Sequence, residues 1–258
     1  MNTFRQNALG AGLLFVVADV VGPFAFPALA FLNEPGYLAT TASHSTSLMV
    51  GVLLILAMEL ACSGIAVWLY PVLRKQHEAM ALWAVGLRGL EVACGTIAAF
   101  ALLALIPLSR SYLAAGAPQA SYFQTLGDMI LNTRTRLRDV GGLFTWGLGA
   151  ILYNILFLRA RLLPRWLAGW GIVAILLHML ACPLTLFEVI EPLSPVQILL
   201  LAPSGLQEIV LAIWLIVKGF DPAAVARLSS SAVSAPAHDL NTWPASSEAA
   251  QPQPQPSR

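Results

Sequence analysis

Residues 48–70 read LMVGVLLILAMELACSGIAVWLY, an unbroken apolar run whose single charge is Glu59. At about 1.5 Å of rise per helical residue, such a run matches the roughly 30 Å hydrocarbon core of a bilayer. Outward from it, five further stretches qualify: 8–32, 79–106, 140–158, 166–187 and 196–217. None alternates with period two and all are too long for strands, so a barrel is excluded. The whole chain agrees with its parts. Of 258 residues, 58% are hydrophobic and 10% charged, against about 25% charged in a soluble domain. The mean hydropathy is +0.75. The reading is an all-α, polytopic bundle of six transmembrane helices whose partner is the lipid bilayer. A net charge of +1 leaves no electrostatic footprint for nucleic acid. Three cysteines without Cys-x-x-Cys spacing supply neither a disulfide framework nor a zinc ribbon.

Basic residues set the expected orientation. One side of the bundle collects Arg5, Arg74, Lys75, Arg159, Arg161, Arg165, Lys218 and Arg227, the other only Arg110, Arg134, Arg136 and Arg138 in one long loop. This places both termini in the cytoplasm of a plasma (inner) membrane. Asp19 and the Gly22-Pro23 break argue that the first apolar run is a retained span and not a cleaved signal peptide. Within loop 107–138, Tyr122, Phe123, Leu126, Met129, Ile130 and Leu137 recur at helical spacing, which predicts an interfacial amphipathic helix on the outer surface. Residues 1–218 form the membrane domain. Residues 219–258 shift to Ala, Ser and Pro and are expected to be a disordered cytoplasmic tail.

The few charges inside the spans carry the functional reading. Asp19, Glu59, Glu91 and Glu208 fall near the middles of four spans, Arg88 lies one turn from Glu91, and His178 centres the fifth. Counting rise from the helix ends puts all six residues in one slab near the midplane. A charge at bilayer centre costs at least about 2.5–3.5 kcal/mol, so these residues are expected to face one another. Arg88 and Glu91, three apart, can pair directly. With His178 neutral the slab would carry a charge near −3, which protons or a bound cation must offset. The alternative is that Arg88 is a structural hub and the layer only specifies the fold. Gly22-Pro23, Pro183 and Pro203-Ser204-Gly205 each sit on the outer side of an ionisable residue. Transporters interrupt helices at such depths, which suggests a cavity open to the outside and floored by the acids.

Catalytic and metal motifs are sparse. Glu59-Leu-Ala-Cys62-Ser-Gly and Glu91-Val-Ala-Cys94-Gly put each cysteine near an acid, and His178 precedes Cys182 by four. With no His pair at helical spacing, no metal site is assigned. Ala61-Cys62-Ser63-Gly64 lacks the first glycine of the rhomboid-protease motif, and no P-loop or dinucleotide fingerprint occurs. No catalytic residue and no cofactor are assigned.

The amphipathic segment, the start Gly141-Gly142-Leu143-Phe144, the turn Arg161-Leu-Leu-Pro164-Arg165-Trp-Leu-Ala-Gly169 and the segment Leu87-Arg88-Gly-Leu-Glu91 resemble one family over residues 5–218. It is the domain of unknown function 4386. Where that family often has His before the fourth span, this chain has Arg136-Leu137-Arg138-Asp139. The resemblance implies a multi-pass bacterial inner-membrane protein and supplies no activity. The expected function is an ion- or proton-coupled transporter using Asp19, Glu59, Glu91 and Glu208 around Arg88, with His178 in the same layer. The competing readings are a sensor or accessory subunit with a structural polar core, and a membrane-embedded lipid enzyme.

Overall fold

The computed structural model describes residues 3–115, 120–191 and 194–234. Each apolar run becomes a helix, because a helix satisfies its own backbone where lipid cannot. In chain order these are α1 (Thr3–Leu29), a 3-10 turn (Ala30–Asn33), α2 (Tyr37–Thr41), α3 (Ser45–Leu73), α4 (Glu78–Leu103) and α5 (Leu105–Ala115). They continue with α6 (Ala120–Arg136), a π-helical stretch (Leu137–Gly142), α7 (Leu143–Ala160), α8 (Arg165–Leu186), α9 (Pro195–Val217) and α10 (Pro222–Ser234). Six of the helices are long and apolar enough to cross a membrane, and no strand occurs among the described residues.

The six long helices close into a ring. α1 packs on α3, α3 on α4, α4 on α7, α7 on α8, α8 on α9, and α9 returns to α1. An even number of alternating helices makes every neighbour antiparallel, so short turns suffice. One end carries the described termini, and we call it the terminal end; the other carries α2, α5 and α6, and we call it the loop end. At the terminal end Arg5 donates to the last carbonyls of α9, from Nη1 to Leu215 O at 3.1 Å and from Nη2 to Ile216 O at 2.6 Å. A cation on a helix C-terminus supports the orphaned carbonyls and the dipole. The turn between α7 and α8 is closed by Arg161 in the left-handed region (φ 54°), with Leu162 N–H on Phe157 O at 3.0 Å. Leu162 is fully buried and anchors that turn.

Two expectations change. The chain after 218 does not leave the protein at once: Phe220, Ala224 and Leu228 bury against the terminal-end core, and Asp221 accepts from Ala224 N–H to start α10. Three apolar residues at helical spacing found a groove that composition alone does not reveal. Residues 235–258, the rest of the expected tail, lie outside the described residues. The amphipathic segment is helical, but it runs through the π-helical stretch into the fourth span. Part of its apolar face meets protein, since Phe123 and Ile130, with Leu131, pack on the cluster of Phe31, Tyr37, Leu38 and Leu102, while Tyr122 and Met129 stay exposed. Tyr37 Oη donates to Asp128 Oδ1 at 2.9 Å. Burial first, then that bond, hold the phenol well above its ordinary range.

Candidate functional site

Arg88 is the hub of the ring interior. It is 5% exposed, donates from Nη1 to Glu91 Oε2 at 2.9 Å, and from Nε to Cys62 O at 3.2 Å. The i,i+3 spacing on α4 makes the ion pair, as its sequence suggests. Asp19 from α1, Glu59 from α3 and Glu208 from α9 all lie within electrostatic reach of the guanidinium. Four helices thus converge their acids on one arginine. Three of the four acids keep an unused oxygen: Asp19 Oδ2, Glu59 Oε2 and Glu208 Oε1 are buried with no partner among the described residues, whereas both oxygens of Glu91 accept from Arg88. Burying a polar group unpaired costs about 1–3 kcal/mol, more when it is charged.

Asp19 and Glu59 also face a cavity of about 480 Å³ in the loop-end half, whose wall includes Pro23, Met58, Gly95, Leu131, Arg134, Arg138 and Gly205. Glu59 fits there because residue 95 is glycine; a Cβ at that position would collide with Glu59 Oε1. The breakers do not interrupt their helices: Pro23, Pro183 and Pro203 lie inside α1, α8 and α9. Pro23 has a subtler effect. Proline lacks the N–H that would bond the carbonyl four residues back, and that carbonyl belongs to Asp19. The same residue therefore offers a carboxylate and a freed carbonyl, both oxygens of the type hard cations and protons take.

His178 is not drawn into the acid cluster. Its Nδ1 lies 2.8 Å from Ser204 Oγ, and that hydroxyl donates to Leu201 O at 2.7 Å. Nδ1–H must then be the donor, which leaves Nε2 a buried lone pair without partner among the described residues. The ring packs on Trp146 at 4.6 Å between centroids, and Trp146 in turn neighbours Glu208. Its titratable neighbour is Asp139, 2% exposed, from the π-helical stretch. Arg138 Nε donates to Asp139 Oδ1 at 2.6 Å. The midplane slab therefore splits into an acid cluster around Arg88 and a histidine linked to it only through Trp146.

Several members were not read from the chain. Tyr153 and Gln207 are buried beside the cluster, with the phenol oxygen and both amide atoms unpartnered among the described residues. Their signal was available, since each stands in an apolar span beside another polar residue, Tyr153 before Asn154 and Gln207 before Glu208. Arg134 and Arg138 read as outer loop, and only the continuous α6–α7 rod brings them to the cavity wall. Among the described residues no group of three or more His, Cys, Asp and Glu side chains is arranged to hold a metal.

A family model described as "Domain of unknown function (DUF4386)" matches residues 10–219. Neither a curated protein nor a solved structure matches the chain.

Proposed function

The chain belongs to the DUF4386 family, a membership that brings no activity with it, and from the geometry we infer a plasma-membrane protein, both termini cytoplasmic, that binds a proton or small cation at Asp19 and Glu59 and couples it to solute movement through the ring. One observation carries this reading. Two carboxylates on neighbouring helices line a roughly 480 Å³ cavity, each with a buried oxygen that no described residue partners, while Arg88 is turned to Glu91 and Cys62 O. A purely structural network would use its donors on those oxygens. The cavity lies within the range of small-molecule sites, about 300–1,000 Å³. Eight basic residues at the terminal-end segments support cytoplasmic termini.

A second reading, a structural polar core in a sensor or accessory protein, is favoured by the pairing of buried Arg88 with Glu91 and Cys62 O. Thermal melts of the purified protein from pH 5 to 8, with and without Na⁺ and divalent cations, separate the two. A ligand specific to the folded state adds about 2.7 kcal/mol at 100 times its dissociation constant. A pH- or cation-dependent rise in Tm that Asp19→Asn and Glu59→Gln abolish, with both variants folded, is the expected result. Proteoliposomes holding a trapped pH dye should then report proton movement under an imposed Na⁺ or solute gradient. A flat response, with both variants merely destabilised, makes the acids structural.

A further inference from the structure

The geometry points to an anionic amphiphile taken from the bilayer as occupant of the loop-end cavity, its headgroup on Arg134 and Arg138 and its apolar body between α1 and α9; this rests on reading that cavity as a binding site. Arg134 and Arg138 stand one turn apart and both line the cavity. Arg134 is half-buried, and its named electrostatic neighbours are Arg138, of like sign, and Asp139. Arg138 already holds Asp139 through Nε. Two guanidinium groups thus share one carboxylate, and the wall there carries a net positive charge with open donors. A carboxylate or phosphate headgroup offsets that desolvated charge with charge-assisted hydrogen bonds.

The rest of the wall suits a hydrocarbon. Leu29, Leu32, Ile55, Met58, Leu131 and Ile209 line it. Arg134 and Arg138 are the basic side chains on this wall, so an anionic head is held toward them. The seam between α1 and α9 supplies the route. At the terminal end it is tight: a Cβ at Gly12 would lie 3.0 Å from Ala212 O. Toward the loop end it loosens, since a Cβ at Gly205 meets nothing within 4 Å, and Phe26 and Ile209 are 57% and 46% exposed. An opening bordered by exposed apolar residues in a membrane span communicates with lipid, and a free anion would leave the apolar wall unused.

Dodecanoate, added below its critical micelle concentration to the full chain in an uncharged maltoside, tests this by thermal melting beside dodecanol and acetate. Dodecanoate should raise Tm while dodecanol and acetate do not. Arg134→Gln should weaken the response about tenfold or more, as expected for loss of a charge-assisted bond, and Arg134→Lys should restore part of it. Gly205→Trp, built into open space, should block the seam and remove the response. An equal effect of dodecanol would show an apolar pocket without headgroup recognition, an equal effect of acetate a free-anion site, and either overturns the proposal. So does an undiminished response in both Arg134→Gln and Gly205→Trp. The proton or cation reading is judged separately: if Glu59→Gln and wild type have the same flat pH and cation profile while dodecanoate still binds, only that reading fails.

Discussion

At the residue scale, Glu59 and Gly95 act as one unit although they lie on different helices. The carboxylate of Glu59 on α3 occupies the space that any side chain at 95 on α4 would take, and it is only 6% exposed. Gly95→Ala therefore displaces the carboxylate without touching its chemistry. The colliding atom is the end of a flexible side chain, so the fold should survive with a loss in the range of about 1–3 kcal/mol for overpacking. The pH and cation response of Tm should fall toward that of Glu59→Gln. A Gly95→Ala variant whose response equals wild type would show that Glu59 needs no fixed position. The repeat of Glu-x-x-Cys in both spans, readable in the chain, thus has an asymmetric meaning. Glu91 is spent on Arg88, whereas Glu59 lines the cavity and keeps Oε2 buried without a partner among the described residues.

At the element scale, the fourth span shows how a single rod serves two ends. α6, the π-helical stretch and α7 form one helical run from Ser121 to Ala160. π-helical turns carry an extra residue and are frequent at functional positions. Here the turn buries Asp139 while its neighbour Arg138 faces the cavity. The opposite end of the rod stops abruptly. Arg161 takes the left-handed conformation, Leu162 enters the core, and Pro164 precedes the first turn of α8. Asp221 N–H also bonds Leu162 O at 3.0 Å, which ties the chain after α9 to this turn. Leu162→Ala should cost about 2–5 kcal/mol, the range for a fully buried leucine. Denaturation in mixed micelles measures it. A loss below about 1 kcal/mol would mean that the turn collapses around the missing side chain. The Arg-Leu-Leu-Pro-Arg sequence that resembles the family is, on this account, a folding motif.

At the scale of the whole molecule, one seam closes the ring. α1 meets its chain neighbour α3 and its distant partner α9, and the second contact depends on Gly12 lying against Ala212 O and Leu215. Gly12→Leu forces the two helices apart where they are closest. We expect a loss of about 1–3 kcal/mol from overpacking. A cysteine pair across α1 and α9 should also cross-link more slowly in this variant than in wild type. Unchanged stability and cross-linking would show that the ring closes elsewhere. Because the site lies inside that ring, opening the seam at its tight end should also weaken the proton or cation response.

The chain by itself determined the six spans and which span carries each of Asp19, Glu59, Arg88, Glu91, His178 and Glu208. Helices in lipid satisfy their own backbones, so span position is a local property. Rotation about each helix axis was not legible. In a water-soluble helix, polarity marks the outward face, but here lipid and core are both apolar. Val52 is buried and Leu53 is 64% exposed, with nothing in their chemistry to say which is which. Only packing against all neighbours decides that Asp19 and Glu59 share a cavity and that Arg88 takes Glu91. The same packing sends His178 to Ser204 and Trp146, and brings Arg134 from a presumed outer loop to the cavity wall. Span membership belongs to the chain; azimuth, and with it the site, belongs to the closed ring.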